Sequence, residues 1–174
     1  GMFDLTYLRC VPNLTIMAPS NENECWQMLN FGYSHKGPVA IRYPRGNAPG
    51  ENINKVGDEI ELGKANVLRR KDSSGIAILS FGSLFNISKE VASELDTTLI
   101  DMRFVKPLDK ELLIELSETH KLFVTVEENV IAGGAGSGVN EFINANNLNI
   151  SVLNFGISDE FPVVGSPDDQ KEAS

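Results

Sequence analysis

Two arginines, a glycine-rich run and two adjacent glutamates are the residues of this sequence whose types and spacing suit chemistry. Arg42 and Arg45 close the segment PVAIRYPRG. A guanidinium presents a planar fork of donors that fits a phosphate, and in open α/β sheets ligands gather at the carboxyl ends of strands. The packing alternative is that both are surface charges engaged with nearby acids. Gly133, Gly134, Gly136 and Gly138 form the run GGAGSG between an apolar stretch and a helical pattern, where small residues let backbone amides approach an anion. Asp159, beyond the next apolar stretch, superficially completes a dinucleotide fingerprint. However, the spacing is G-x-G-x-G and not G-x-G-x-x-G, and no Lys-Ser or Lys-Thr follows, so neither a dinucleotide nor a Walker-type loop is matched. That broken spacing favours a tight turn with helix packed closely on sheet.

Glu127 and Glu128 end the stretch that feeds this turn. Paired carboxylates do acid–base work when one has a raised pKa; otherwise one is a buried acceptor and the other a solvated charge. Asp101, Arg103 and Lys106 are candidates for an interface or a salt-bridge set with them. No Ser/His/Asp or Cys/His constellation accompanies these groups. His35 and His120 stand in polar, turn-like surroundings, SHKG and ETHK. Cys10 and Cys25 do not make a disulfide framework, and no Cys/His cluster has zinc-ligand spacing. Cys25 reads as a thiol on an apolar helix face, in a reducing, cytoplasmic setting. Residue by residue, the sequence holds no self-sufficient active site.

The elements that must position these groups follow from periodicity. Residues 2–9 carry Phe3, Tyr7 and Leu8 at helical spacing. NLTIM (13–17) suits a buried strand. Ser20 is placed to cap a helix over about 21–33 with Cys25, Met28, Leu29 and Gly32 on its inner face. PVAIR (38–42) reads as a second buried strand, so the front of the chain is a parallel βαβ unit. PRGNAPGENINKVG (44–57) is poor in apolar residues and reads as a linker. Two parallel strands cannot bury both their faces alone, so the front reads as the tail of a larger domain. Behind the linker, strands are expected at 61–70, 76–80, 98–102, 122–126 and 150–155. Helices are expected along Leu84–Leu95, after Asp109 as cap, and over about 139–145. That alternation predicts an α/β fold with an open, mostly parallel sheet, in which the first strand is free to pair antiparallel as one edge strand.

The chain has 174 residues, room for one domain or for one domain and part of another. Its net charge of −9 argues against nucleic-acid binding, which needs a basic surface. No apolar run is long enough for a membrane helix, and the first residues have no secretory pattern. No internal repeat is present.

Four segments, YLRCVPNLTIMAPSNENE (7–24), GPVAIRYPRGN (37–47), LIDMRFVKPLD (99–109) and TVEENVIAGGAGSGVNE (125–141), together resemble the 1-deoxy-D-xylulose-5-phosphate synthase family of transketolase-like thiamine-diphosphate enzymes. The resemblance runs in order along nearly the whole chain. It implies residues 1–47 as the end of a pyrimidine-binding domain, 48–58 as linker and 59–174 as a transketolase-type C-terminal domain. It implies condensation of pyruvate with glyceraldehyde 3-phosphate, loss of CO2, a homodimer, and thiamine diphosphate with magnesium in the intact enzyme. The cofactor and metal ligands, and a catalytic histidine just before the glycine matching Gly1, would lie upstream. No cofactor or metal is expected on this fragment, which would be inactive alone. Arg45 matches the family arginine that grips the aldehyde's phosphate; Arg42, Glu127 and the glycine turn are left as packing. The alternatives are an anion- or nucleotide-binding α/β module built on GGAGSG, an assembly domain, or part of a related enzyme such as transketolase or a 2-oxo-acid dehydrogenase beta subunit.

Overall fold

The computed structural model describes residues 1–45, 49–50, 53 and 59–161. Its elements are α1 (Asp4–Arg9), β1 (Thr15–Met17), α2 (Glu22–Ser34), β2 (Val39–Ile41), β3 (Asn66–Arg69), β4 (Ile76–Phe81), α3 (Phe85–Glu94), β5 (Thr98–Asp101), β6 (Phe104–Lys106), α4 (Lys110–Thr119), β7 (Leu122–Val130), α5 (Ala135–Ala145) and β8 (Ser151–Ile157). The expected linker, 44–57, falls mostly outside the described residues.

The larger sheet has the order β3-β5-β4-β7-β8. β5, β4, β7 and β8 run parallel, and β3 joins β5 antiparallel at the edge. That is the expected mostly parallel sheet with one antiparallel edge strand. One face carries the main core: Leu79, Phe81, Ile100, Leu113, Leu116, Phe123, Val139 and Ile143 meet Leu5 and Ile16 from the front of the chain. α3 covers part of the other face, where Ile78, Phe85, Ala92 and Leu99 pack together. β3 is shorter than expected, because Gly63 turns the chain with φ 70° before the strand begins.

The front segment forms the expected parallel pair, β1 beside β2. Its sheet has a third strand that periodicity does not reveal: β6, from the back of the chain, pairs antiparallel with β1. Phe104 of β6 accordingly sits in a core with Met17, Met28 and Ile60, edge-on to Phe31. Asn21, and not Ser20, caps α2, its side chain accepting from Glu24 N at 2.9 Å. The Ser20 hydroxyl is engaged elsewhere, with Asp101. The inner face of α2 also differs from expectation: Glu24 and Met28 are buried, whereas Leu29 is exposed. Asp109 caps α4 as expected, accepting from Leu112 N at 3.1 Å.

Candidate functional site

Arg42 and Arg45 leave β2 together but have different fates. Arg42 N still bonds Met17 O at 2.8 Å, extending the β1–β2 pairing past the strand. Its guanidinium turns inward. Nη2 donates to the Glu128 carbonyl at 2.5 Å and to the Gly1 carbonyl at 3.3 Å, Nη1 meets Glu128 Oε2 at 3.3 Å, and Nε lies 3.5 Å from Asp4 Oδ1. The Arg42 side chain is mostly buried by these contacts. Arg45 is exposed. Among the described residues its side chain makes no hydrogen bond or ion pair. Arg42 is therefore a structural cation, and Arg45 is the one whose donors face outward.

The glycine turn is closed. Glu127, 1% exposed, points its carboxylate at the start of α5, with Oε2 accepting from Ala135 N at 2.7 Å and Oε1 from Gly136 N at 2.8 Å. The amides that would greet an anion already have their acceptor, supplied by the chain. Burial raises Glu127 to about 7, opposed by the two amides and by Arg9 and Arg42. The glycines are needed for approach. A methyl on Gly134 would meet the Val130 carbonyl and Glu127 Oε2, and one on Gly136 would meet Asn154 and Thr125. Arg9 covers the turn from outside, bonding Gly133 O at 2.6 Å and Glu141 Oε2 at 2.6 Å. This removes the anion-binding module as a reading of GGAGSG. The helix also begins at Ala135, within the glycines, earlier than its apolar residues indicate.

Asp101, Arg103 and Lys106 do not reach Glu127 or Glu128. They engage the front of the chain. Ser20 Oγ donates to Asp101 Oδ2 at 2.6 Å, Arg103 Nη2 pairs with Glu24 Oε1 at 2.6 Å, and Lys106 Nζ donates to the carbonyls of Arg9 and Val11. Burial raises Asp101 to about 6, the Ser20 hydroxyl pulling it back. His120 is buried despite its polar neighbours in sequence, with Nε2 2.8 Å from Thr98 Oγ1. His35 stacks on Phe31. Cys25 is half-buried and burial pushes its thiol up; Cys10 is exposed. Among the described residues no group of three or more His, Cys, Asp or Glu side chains is placed to hold a metal, and no helix is long and apolar enough to cross a membrane.

Residues 63–174 match the family described as transketolase, C-terminal domain, and residues 1–51 match the transketolase pyrimidine binding domain. The chain belongs to the transketolase C-terminal-domain family. Within it, the chain is 54% identical over 170 residues to a 1-deoxy-D-xylulose-5-phosphate synthase of Pectobacterium atrosepticum, covering 97% of this chain and 27% of that protein. It is 49% identical to the synthase of Vibrio atlanticus, covering 99% of this chain and 28% of that one. The chain thus spans about a quarter of the length of the curated relatives it matches. Among solved structures it is similar to a split-gene transketolase described as an inactive β4 tetramer, with TM-score 0.78 and 27% identity over 91% of this chain and 53% of that one. The transketolase of Campylobacter jejuni shares the fold, with TM-score 0.67 at 18% identity, over 97% of this chain and 25% of that one. The resemblance read from the four sequence segments and the fold class drawn from it both hold.

Proposed function

We propose that the chain supplies the end of the pyrimidine-binding domain (1–47), a linker (48–58) and the C-terminal domain (59–174) of a 1-deoxy-D-xylulose-5-phosphate synthase. The whole enzyme is a thiamine-diphosphate-dependent, transketolase-like transferase. It joins two carbons of pyruvate to glyceraldehyde 3-phosphate and releases the third as CO2, giving the precursor of isoprenoids, thiamine and pyridoxal. It works as a cytoplasmic homodimer.

Arg45 carries the reading. It is an exposed cation at a strand's carboxyl end, free of partners among the described residues, beside an arginine that is fully engaged. Its role is to bind the phosphate of the aldehyde and so orient the carbonyl, which lies at the other end of that substrate. The cofactor supplies the carbanion chemistry. The described residues do not fit a diphosphate–magnesium site: they offer no metal-binding cluster, and the amides at the glycine-rich start of α5 are bonded to Glu127. The reading assigns cofactor and magnesium to other parts of the whole protein and makes this chain inactive alone. The description of the split-gene relative as an inactive tetramer supports that assignment.

In the full-length enzyme, Arg45→Ala raises KM for glyceraldehyde 3-phosphate at least about tenfold and leaves KM for pyruvate within about twofold. Equal effects on both substrates overturn the phosphate role. Calorimetry of the 174-residue chain with thiamine diphosphate shows no binding; micromolar affinity refutes the assignment of the cofactor site to other parts of the protein.

A further inference from the structure

We propose that Glu128 is a positioning residue for substrate phosphate, acting from the back of the chain through Arg42 on Arg45. The proposal rests on the reading of Arg45 as the phosphate cation. Glu128 lies near the carboxyl end of β7, in the larger sheet, whereas Arg42 and Arg45 follow β2 in the smaller one. Arg42 is gripped at two points by the same residue, the Glu128 carbonyl at 2.5 Å and its Oε2 at 3.3 Å. Glu128 Oε2 is itself fixed by a hydrogen bond from Ser83 Oγ, at the turn after β4. Nε of Arg42 and its second Nη2 contact reach Asp4 and Gly1, so the strand end, the start of the chain and the carboxyl end of β7 are joined at one guanidinium.

The path from Arg42 to Arg45 is short and stiff. Only Tyr43 and Pro44 intervene. Proline fixes its own φ and holds the residue before it in extended conformations. Three residues of chain span at most about 10 Å, so the location of Arg42 limits where the Arg45 backbone can stand. Tyr43 and Pro44 are exposed and Arg45 has no other tether among the described residues. The place of its backbone at the strand end is thus inherited from the Arg42 anchor. A phosphate cation must be placed to within a fraction of an ångström for bidentate contact, and the Glu128 anchor meets that need.

The test uses the full-length enzyme and two acceptors, glyceraldehyde 3-phosphate and unphosphorylated D-glyceraldehyde. Glu128→Gln keeps the shape and removes the charge. It raises KM for the phosphorylated aldehyde about five- to tenfold, with kcat/KM for D-glyceraldehyde within about twofold of the parent. In an Arg45→Ala background the same change produces no further loss, because the group it positions is gone. Equal losses with both aldehydes, a loss that persists undiminished without Arg45, or no loss overturn the proposal. If Arg45→Ala itself fails to distinguish the two aldehydes, the phosphate reading falls first and the positioning role with it. Should Glu128→Gln fold poorly, Ser83→Ala, which removes only the donor that steers the carboxylate, gives a smaller shift of the same kind; equal effects on both aldehydes from that variant refute it as well.

Discussion

A single methyl group on Gly134 tests whether the glycine run closes on the chain itself or waits for a ligand. Built on the backbone as it stands, that methyl carbon lies 2.6 Å from the Val130 carbonyl oxygen and 2.8 Å from Glu127 Cδ, and it overlaps Glu127 Oε2. The Val130 oxygen is backbone and cannot swing away. The carboxylate is pinned by Ala135 N at 2.7 Å and Gly136 N at 2.8 Å, so it yields only by losing those bonds. Overpacking of this kind costs about 1–3 kcal/mol, and weakening a charge-assisted bond adds about 1.5–3 kcal/mol. Alanine is also a poorer N-cap than glycine. Gly134→Ala is therefore expected to destabilise the chain by about 3–5 kcal/mol, a large share of a typical domain's stability of about 5–15 kcal/mol. With a urea m-value of about 2 kcal/mol/M, the midpoint moves down by roughly 1.5–2.5 M. Glu127→Ala as the second arm of a cycle recovers part of the loss, because half of the clash disappears. A Gly134→Ala midpoint within about 0.25 M of the parent, equivalent to about 0.5 kcal/mol, refutes the closed turn.

Three further outcomes follow from the same packing. Asp101 has its folded pKa raised by burial from 3.8 to about 6. The folded chain thus holds a proton that the unfolded chain releases between those values. Stability from this group is complete below about pH 4 and falls by on the order of 3 kcal/mol as pH rises to about 6. Glu127, raised from 4.5 to about 7, acts in the same sense and extends the fall. Urea midpoints from pH 4 to 8 show the slope, and Asp101→Asn reduces it; parallel profiles count against a buried, proton-holding Asp101. Asn21→Ala loses about 1 kcal/mol through the α2 cap, read by thermal denaturation, and an unchanged melting temperature removes Asn21 from that role. Thr98→Val leaves His120 Nε2 buried without its partner at a cost of about 1–3 kcal/mol, and Thr98→Ser, which keeps the hydroxyl, recovers most of it in the same assay.

Local pattern was enough for much of the fold and not for the joints. The alternation of strands and helices and the Asp109 cap were legible because each follows from neighbours in sequence; the antiparallel edge position of β3 was expected too, although its partner, β5, lies beyond the next strand and helix. β6 was not, since three residues, Phe104–Lys106, carry no periodicity, and their partner β1 lies far back in the chain. The same distance explains α2. Glu24 turns inward because Arg103 waits there, and Leu29 stays out. Ser20 and Asn21 are equally good caps by type; Asp101 decides between them by taking the serine. α5 starts inside a run of poor helix formers, because Glu127 satisfies its first amides and the missing side chains admit Asn154 and Thr125. His120 read as a turn residue because ETHK is polar, and Thr98 buries it.

These long-range partners share one location, and it bears on where a ligand can sit. In a doubly wound sheet the favoured site is outside the carboxyl ends of adjacent strands whose connections leave to opposite faces. Here those strands are β4 and β7, whose ends carry Gly82, Ser83, Glu127 and Glu128. The crevice is filled by the front of the chain. A methyl on Gly82 would touch Ala18, Val130 N bonds the Met2 carbonyl at 2.8 Å, Asn129 Oδ1 accepts from Leu5 N, and Arg42 lies on Glu128. The larger sheet has given its usual ligand position to an internal contact. Arg45, past the carboxyl end of β2 in the smaller sheet, is exposed. The amides of the glycine motif, beside that crevice, are likewise taken by the chain's own Glu127. Among the described residues, the strand that Arg45 follows belongs to a sheet of three, and its third strand, β6, comes from the back of the chain.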